Sequence, residues 1–324
     1  MKRRWICLIT LILITATCAP SPNVGTSEPP IIQTGVDVDS WALIPRGAFP
    51  MGQHDHLTMV DYDYEMMVTD VTNQQYADFL NKAFEEGSML KIGAVEMEAG
   101  EVISFHEGVS RYYPAEPFYG YEHEEEIKAG DKLIIPFEEG LRLEFDQENQ
   151  KFSAIPAYAN HPMTMVTWFG ADSYCQYYGW RLPSEIEWEK SARGPELIDE
   201  HGLPFPWGEE IEGNQANYYS SFDLFEKVYG KLGNTTPVGF YNGLTYDGYM
   251  TKKAVSPYGL YDMAGNVWQW MGDDYPDQHY RYLRGGSFYS YAVDLRVWKN
   301  NSAHPNYYSP QVGFRCARTE LPPE

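Results

Sequence analysis

The sequence is poor in basic residues, and this shortage excludes one class of partner. Its 324 residues include 24 Lys and Arg against 46 Asp and Glu, which gives a formal charge of −22 at pH 7. Surfaces that bind nucleic acid or anionic lipid need clustered Lys and Arg to neutralise phosphates. We therefore expect no nucleic acid partner, and no membrane binding through a basic surface.

The sequence also lacks the long apolar run that a membrane-spanning helix requires. Residues 5–14 are nearly all apolar, and the basic residues 2–4 precede them. A basic segment before a short apolar run is typical of a secretory signal, and this run is too short to span a bilayer. Residues 1–17 are therefore predicted to be a signal peptide, and the protein is expected to be exported to the cell envelope.

Cysteine is scarce, and the first two of the four have separate expected fates. Cys7 would leave with the signal peptide. Cys18 follows Thr17 in a sequence that resembles a bacterial lipoprotein processing site, at which the cysteine is lipidated. Thr17 is a poor residue at that position, so simple cleavage and secretion is the alternative. Residues 18–40, with several Pro, Ser and Thr, are predicted to be a flexible tether, and a lipid anchor would be the only link to the membrane.

Two cysteines, Cys175 and Cys316, remain in the mature chain. Two thiols in an exported protein most economically form one disulfide. The bond would close a long loop, which corresponds to about 4–5 kcal/mol of stabilisation in the chain-entropy model. A reactive thiol pair is the alternative.

The local patterns predict a mixed α+β chain with few helices. Thr72 is a plausible N-cap for one helix, and a second helix is predicted over residues 171–178. A third begins after Ser184, which forms a capping box with Glu187. Residues 90–157 alternate short strand-like runs with acidic turns. Their apolar content is too low for a separate core, so they are predicted to be a β-hairpin-rich insertion.

Seven motifs follow one another in an order that resembles the formylglycine-generating enzyme, or sulfatase-modifying factor, family. They are VTN at 71–73, HPMTMVTW at 161–168, RLPSEIEWE at 181–189, PWG at 206–208, YGLYDMAGNVWQW at 258–270, RGGS at 284–287 and GFRC at 313–316. The resemblance covers residues 41–318 and leaves 319–324 as a tail. It implies a single irregular α+β domain with a C-type-lectin-like core, few helices and long ordered loops.

The activity of that family depends on residues that this chain lacks. Formylglycine-generating enzymes oxidise a substrate cysteine with oxygen, using two reactive cysteines that bind copper and lie shortly after the Gly-Gly-Ser motif. The matching positions here are Ser290 and Leu295. A hydroxyl is a poor ligand for Cu(I), and leucine is none. Copper is therefore not expected, and formylglycine generation on sulfatases is the least favoured function.

Two other functions remain. The first is a non-catalytic surface binding or assembly module, whose protein or small-molecule ligand would meet a C-terminal aromatic surface. The residues of that surface are Tyr280, Tyr282, Phe288, Tyr289, Tyr291, Trp298, Tyr307 and Tyr308. The second is an extracytoplasmic oxidoreductase or modifying enzyme with non-cysteine chemistry. Its groove candidates are Ser287, Tyr289, Asp294 and Arg296. A deep pocket with perturbed pKa values would favour the enzyme, and a shallow tyrosine-lined surface would favour binding.

The resemblance also implies structural roles for several residues. Cys175 and Cys316 match a disulfide pair of the family. A calcium site would use the side chains of Asp262 and Gln269 with two backbone carbonyls, those of Gly265 and Val267. The family has Asn at the position of Asp262 and Glu at the position of Gln269. The carboxylate is therefore at the first position here instead of the last, but both residues still offer oxygen to a hard cation. The alternative is a hydrogen-bonded loop without metal. A second, less complete site would start at Asn217 and Tyr218.

Overall fold

The computed structural model describes residues 29–319, apart from 86–94, 99–101, 106–111, 114–116, 119–120, 123–124, 127–132, 137–138, 147, 150, 196, 199–200, 220, 222–233 and 275–279. Within these residues, three α-helices are present: α1 (Asn73–Glu85), α2 (Trp168–Tyr177) and α3 (Glu185–Arg193). Short 3-10 helices span Pro156–Tyr158 and Ala292–Leu295. No helix in the described part of the chain has the length and apolar character needed to cross a membrane.

The strands are short. They are β1 (Trp41–Ile44), β2 (Gly47–Met51), β3 (His56–Val60), β4 (Tyr64–Met67), β5 (Val95–Glu98), β6 (Val102–Phe105), β7 (Tyr112–Tyr113), β8 (Pro117–Phe118), β9 (Tyr121–Glu122), β10 (Glu125–Glu126), β11 (Leu133–Pro136), β12 (Leu143–Asp146), β13 (Lys151–Ala154), β14 (Leu197–Ile198), β15 (His201–Gly202), β16 (Thr245–Tyr246), β17 (Tyr249–Met250), β18 (Trp268–Asp274), β19 (Arg281–Arg284), β20 (Asn300–Ala303), β21 (Val312–Gly313) and β22 (Ala317–Arg318).

Two sheets organise the domain. The first has the order β20-β19-β18-β21, in which β18 runs antiparallel to β19 and parallel to β21. The second has the order β1-β4-β22, so it pairs the start of the domain with its end. The described strands between residues 90 and 157 pair into small sheets, namely β5-β6-β11, β7-β10, β8-β9 and β12-β13.

Capping side chains set where the helices begin. The Ser184 hydroxyl accepts the N–H of Glu187 while the Glu187 carboxylate accepts the N–H of Ser184, so the predicted capping box starts α3. α2 begins at Trp168 instead of 171, because the Thr167 hydroxyl accepts the N–H of Gly170. The prediction for α2 was therefore three residues late.

The main core lies between α1, α2 and the first sheet, and the hairpin insertion contributes to it. Ile135, Leu143 and Phe152 of the insertion are buried in this cluster. The disulfide Cys175–Cys316 crosses the same cluster, with 5.7 Å between its Cα atoms, and confirms the predicted pairing. It joins α2 to the end of the domain.

The described part of the predicted tether, residues 29–40, is packed against the domain. Ile32 is buried beside Phe240, and the Thr34 hydroxyl donates to the Val238 carbonyl at 3.1 Å. Buried apolar and bonded side chains give this segment a fixed place, which corrects the predicted boundary at residue 40. The signal peptide, Cys18 and the rest of the tether lie outside the described residues.

Candidate functional site

The loop that leads into β18 brings the predicted site residues close together. Asp262 and Asn266 both have positive φ, at 57° and 66°, and this backbone shape makes the loop compact. At Gly265 an added Cβ would lie 2.4 Å from the carbonyl oxygen of Asn217, so only glycine fits there. The Asn266 N–H donates to that same carbonyl at 2.8 Å.

Ser290 and Leu295, the two positions that the resemblance matches to the family's reactive cysteines, are called here the former thiol positions, and Ser290 is held in a tight turn. Its Oγ accepts the N–H of Ser287 at 3.0 Å, and its own N–H donates to the Ser287 carbonyl at 2.9 Å. The Ser287 hydroxyl donates in turn to Gln311 Oε1 at 3.0 Å. Among the described residues, no histidine or carboxylate bonds to either hydroxyl.

Leu295, the other former thiol position, fills apolar space. It is fully buried in a cluster with Phe205, Ala216 and Ala264. Its Cδ1 atom lies so close to Gly286 that a Cβ there would approach it to 2.8 Å. The place of the second reactive thiol is thus occupied by well-packed hydrocarbon.

The remaining groove candidates do not converge on these serines. Ser287 is fully buried, whereas Tyr289 is 48% exposed. Asp294 lies in the second 3-10 helix, and the Arg296 guanidinium lies 5.7 Å from the ring centre of Trp298. Within the described residues, no hydrogen bond or ion pair joins Asp294 or Arg296 to either serine.

Gln269 does not fit the ligand role that the resemblance implies for it. Its Oε1 accepts two N–H groups, those of Trp188 at 2.7 Å and Arg315 at 2.9 Å. Its Nε2 donates to the Asp262 carbonyl at 2.8 Å. Because both partners of Oε1 can only donate, the amide cannot be turned round, and its single oxygen has no lone pair left for a cation.

Asp262 fits a cation better, since it is a buried carboxylate. Its Oδ2 accepts the Gly239 N–H at 2.7 Å, and burial raises the pKa of Asp262 to about 6. No group of three or more His, Cys, Asp or Glu side chains suited to a metal occurs among the described residues. The calcium prediction is therefore untested: of its two expected side-chain ligands Asp262 fits a cation, whereas the bonds of Gln269 favour the alternative of a hydrogen-bonded loop without metal.

Arg315 is the centre of this region, and the sequence interpretation did not single it out. Its guanidinium donates to Gln269, to the Tyr261 carbonyl at 2.8 Å and to Asp70 Oδ1 at 3.0 Å. Burial raises the pKa of Asp70 to about 7, against the opposing effect of Arg315. Arg315 lies in the GFRC motif and Asp70 directly precedes the VTN motif. The position of Arg315 and Asp70 in or beside these motifs was therefore the signal from which their role could have been predicted.

At the second cation site predicted from the sequence, Asn217 and Tyr218 both contact other parts of the protein. The Asn217 side chain donates to the Asn234 carbonyl at 2.8 Å, and its backbone carbonyl holds Asn266. Tyr218 packs beside the cluster that contains Leu295. The segment in which a further ligand was sought, residues 222–233, lies outside the described residues.

The predicted aromatic surface divides into buried and exposed halves. Phe288 is buried, and the other three packed members lie against core clusters: Tyr282, Trp298 and Tyr308. The exposed members are Tyr280 at 40%, Tyr289 at 48%, Tyr291 at 63% and Tyr307 at 45%. Tyr280 and Tyr307 line an open cavity of about 450 Å³. Gln311, the partner of Ser287, lines the same cavity.

Comparison with known proteins gives a family and relatives. A profile of the FGE-sulfatase family, the sulfatase-modifying factor enzyme 1-like domain, matches residues 30–320. A protein of Chlamydia trachomatis serovar L2 named serine/threonine-protein kinase Pkn1 is 39% identical over 181 residues, 50% of this chain and 25% of that protein. A Bos taurus protein named inactive C-alpha-formylglycine-generating enzyme 2 is 34% identical over 164 residues, 48% of this chain and 50% of that protein.

A solved structure supports the fold. The structure named CarF matches with a TM-score of 0.51 at 17% identity, over 87% of this chain and 98% of that chain. With the family match, this likeness confirms the predicted fold class, a single irregular α+β domain of the formylglycine-generating enzyme type. The chain spans a quarter to a half of the length of the two curated relatives.

Proposed function

The chain belongs to the family of sulfatase-modifying factor enzyme 1-like domains, and from that premise we propose that it is an exported, lipid-anchored and non-catalytic module for surface binding or assembly. The observation that carries this proposal is the state of the two former thiol positions. Ser290 is bonded into a turn and Leu295 is buried in hydrocarbon. A bovine relative whose name contains the word inactive is consistent with such a loss.

The supply of thiols supports the same proposal. Cys175 and Cys316 are the only cysteines among the described residues, and they are joined in the disulfide. Cu(I) prefers thiolate ligands, and a disulfide offers none. Copper-dependent oxidation of a substrate cysteine therefore has no ligand set in the described part of the chain.

The exposed aromatic residues support binding as the retained role. Tyr219 and Tyr291 meet edge to face, 5.2 Å apart, and Tyr289 is exposed in the same stretch of sequence. Tyrosine offers a large, rigid contact area with a polar end, which suits recognition of proteins and small ligands. We place the ligand on this surface and on the neighbouring cavity lined by Tyr280 and Tyr307.

Site-specific cross-linking in the host cell tests the binding role. A photoreactive amino acid at Tyr307, and separately at Tyr289, is expected to give discrete cross-linked products. The same group at Leu57, which is 80% exposed on β3, serves as the control. Products of equal yield at Leu57, or none at either tyrosine, would refute the proposed surface.

Labelling with a radioactive fatty acid tests the anchor. Cys18 is expected to carry the label and to keep the protein in the membrane fraction, and the Cys18→Ala variant is expected to lose both. An unlabelled wild-type protein in the soluble fraction would instead support simple secretion, the alternative that Thr17 leaves open.

A further inference from the structure

Three exposed apolar residues lie beside the place where the described chain begins. Ile31 belongs to the packed segment 29–40, Leu244 directly precedes β16, and Met250 ends β17. Each of the three is more than half exposed. Single exposed apolar residues are normal on a protein surface, so the position of these three decides what they can do.

The hairpin β16–β17 and the N-terminal segment are held together as one unit. The amide nitrogen of Asn242 donates to the Thr34 carbonyl at 2.9 Å and to the Tyr246 hydroxyl at 2.7 Å. Its Oδ1 accepts the N–H of Leu244 at 3.0 Å. The ring of Tyr246 packs against the cluster that contains Ile32. The hairpin therefore keeps a fixed place beside the start of the described chain.

The two faces of the hairpin have different surroundings. Tyr246 and Tyr249 pair across the strands and both pack against the cluster of Ile32. Met250 pairs with Thr245 and, because successive side chains of a strand alternate, lies on the other face. Met250 therefore projects away from the domain.

This corner of the domain is also the part that is closest along the chain to the predicted lipidation site. Cys18 precedes Pro29 by eleven residues. Eleven residues span at most about 40 Å, even when they are fully extended. A protein anchored at Cys18 is thus held at the bilayer by this corner, so Ile31 and the hairpin beside it are placed where they can meet lipid.

The charges favour an apolar contact over an ionic one. The formal charge of −22 opposes an anionic membrane surface. Near the hairpin, Asp247 lies at its turn, whereas Lys252 and Lys253 follow Met250 and are both exposed. Lys252 is paired with Glu212. The local charges therefore nearly balance, and the exposed apolar side chains are what this corner offers to a lipid surface.

We propose that Ile31, Leu244 and Met250 rest on the bilayer and orient the anchored domain. This inference rests on the lipid anchor of the proposed function, and it adds an apolar contact to what was expected to be the only link to the membrane. A contact of three side chains is weak, but a short tether keeps it at a high effective concentration. The Cys18→Ala variant, which lacks the anchor, is therefore still expected to leave the membrane fraction.

Quenching by spin-labelled lipid tests the contact. In the full-length lipidated protein, Met250→Cys offers the only free thiol, because Cys18 carries the lipid and Cys175–Cys316 is a disulfide. The thiol receives a nitrobenzoxadiazole dye, and the protein is reconstituted into phosphatidylcholine vesicles with or without nitroxide-bearing lipid. Fluorescence at position 250 is expected to fall about twofold, because side chains at the interface lie among the lipid headgroups. The same dye at Met59→Cys, a similarly exposed methionine of β3, is the control and should lose little fluorescence.

The outcomes separate this inference from the anchor. A protein that does not float with the vesicles has no anchor, and the proposed anchoring then fails together with this inference. A protein that floats but is quenched equally at positions 250 and 59 refutes the bilayer contact alone. A blue shift of the dye at position 250 without quenching also refutes it, and would instead indicate that a protein partner or a second copy covers the hairpin.

A pair of matched leucine variants assigns the contact to this corner. Leu244→Ser, in the labelled Met250→Cys protein, is expected to reduce the quenching toward the value at position 59. Leu43→Ser removes a leucine of β1 that is exposed to the same degree, and it should leave the quenching unchanged. The melting temperatures of both variants check that the fold is intact. Equal quenching in the two variants would overturn the assignment.

Discussion

Gln269 and its partners show how single residues determine whether the loop before β18 needs a metal. The two N–H groups of Trp188 and Arg315 fix the orientation of the Gln269 amide, and the amide then holds the Asp262 carbonyl. A glutamate here would present a second carboxylate oxygen where the glutamine presents N–H. The alternative stated from the sequence, a hydrogen-bonded loop without metal, is the one that this geometry favours.

A Gln269→Glu substitution tests this account of the loop. The melting temperature of the wild type is expected to be the same in EGTA and in calcium. The variant is expected to be destabilised in EGTA and restored by calcium, by about 2.7 kcal/mol when calcium is at 100 times its dissociation constant. Differential scanning calorimetry in both buffers is the measurement. A calcium-dependent rise in the wild type would contradict the metal-free loop and support the calcium prediction.

His161 is a fully buried histidine whose titration affects stability. Burial, with the charge of Arg142 acting in the same direction, lowers the pKa of His161 from 6.5 to about 3. Between these values the unfolded chain binds a proton that the folded chain does not. The contribution of His161 is therefore fully present above pH 6.5 and is lost as the pH falls toward 3.

The His161→Asn variant isolates that contribution. Asparagine can keep the contact that His161 Nδ1 makes with Thr235 Oγ1 at 2.9 Å, but it does not titrate. The pH dependence of the free energy of unfolding should become shallower by up to about 1.4 kcal/mol per pH unit below pH 6.5. Urea unfolding from pH 4 to 7 measures it, with the exposed His54→Asn as the control. Equal slopes in the wild type and His161→Asn would exclude a buried, neutral His161.

Residue identity alone predicted part of the site. Ser290 and Leu295 were interpreted as losses because each stands at a motif-defined position, and that interpretation stays a prediction. The roles of Gln269 and Arg315 were not predictable in this way, because they depend on which N–H group reaches which oxygen. Such contacts join residues far apart in the sequence, as Arg315 and Asp70 illustrate at a separation of 245 residues.

At the scale of elements, local capping residues predicted the helices well. Thr72 precedes α1 and Ser184 precedes α3, each with the bonds expected of an N-cap. The start of α2 was missed because Thr167 lies inside a motif that was interpreted as a whole. The packing of residues 29–40 was missed for another reason. The composition of this segment is typical of a flexible tether. Its packing against the domain depends on the tertiary contact of Ile32, which the local sequence does not indicate.

The capping box of α3 is expected to matter beyond its own helix. α3 carries Glu189 and Arg193, both fully buried, and Glu189 pairs with Arg284 of β19 at 2.6 Å. Ser184→Ala should lower the free energy of unfolding by about 1 kcal/mol, because an N–H at the helix start loses its partner. Urea unfolding compares it with Ser153→Ala, an exposed serine on β13. A cost no larger than that of Ser153→Ala would show that the cap is dispensable.

At the scale of the whole molecule, the fold of the family is present, and the loss of the family's chemistry is our proposal. The paired strands β1, β4 and β22, the disulfide and the Arg315 network all connect distant parts of the chain. The motifs that encode these features are present in order, which is why the fold could be predicted from the sequence. Function could not be predicted equally well, because a conserved scaffold does not specify what its surface binds.

Turnover of a peptide that contains a sulfatase motif tests the central claim most directly. The purified protein is incubated with the peptide and oxygen, with and without copper, beside a catalytically active member of the family. Mass spectrometry then measures conversion of the peptide cysteine to formylglycine. We predict no conversion above the protein-free background under either condition. Copper-dependent conversion by the wild-type protein would contradict the claim that this chain has lost the chemistry of its family.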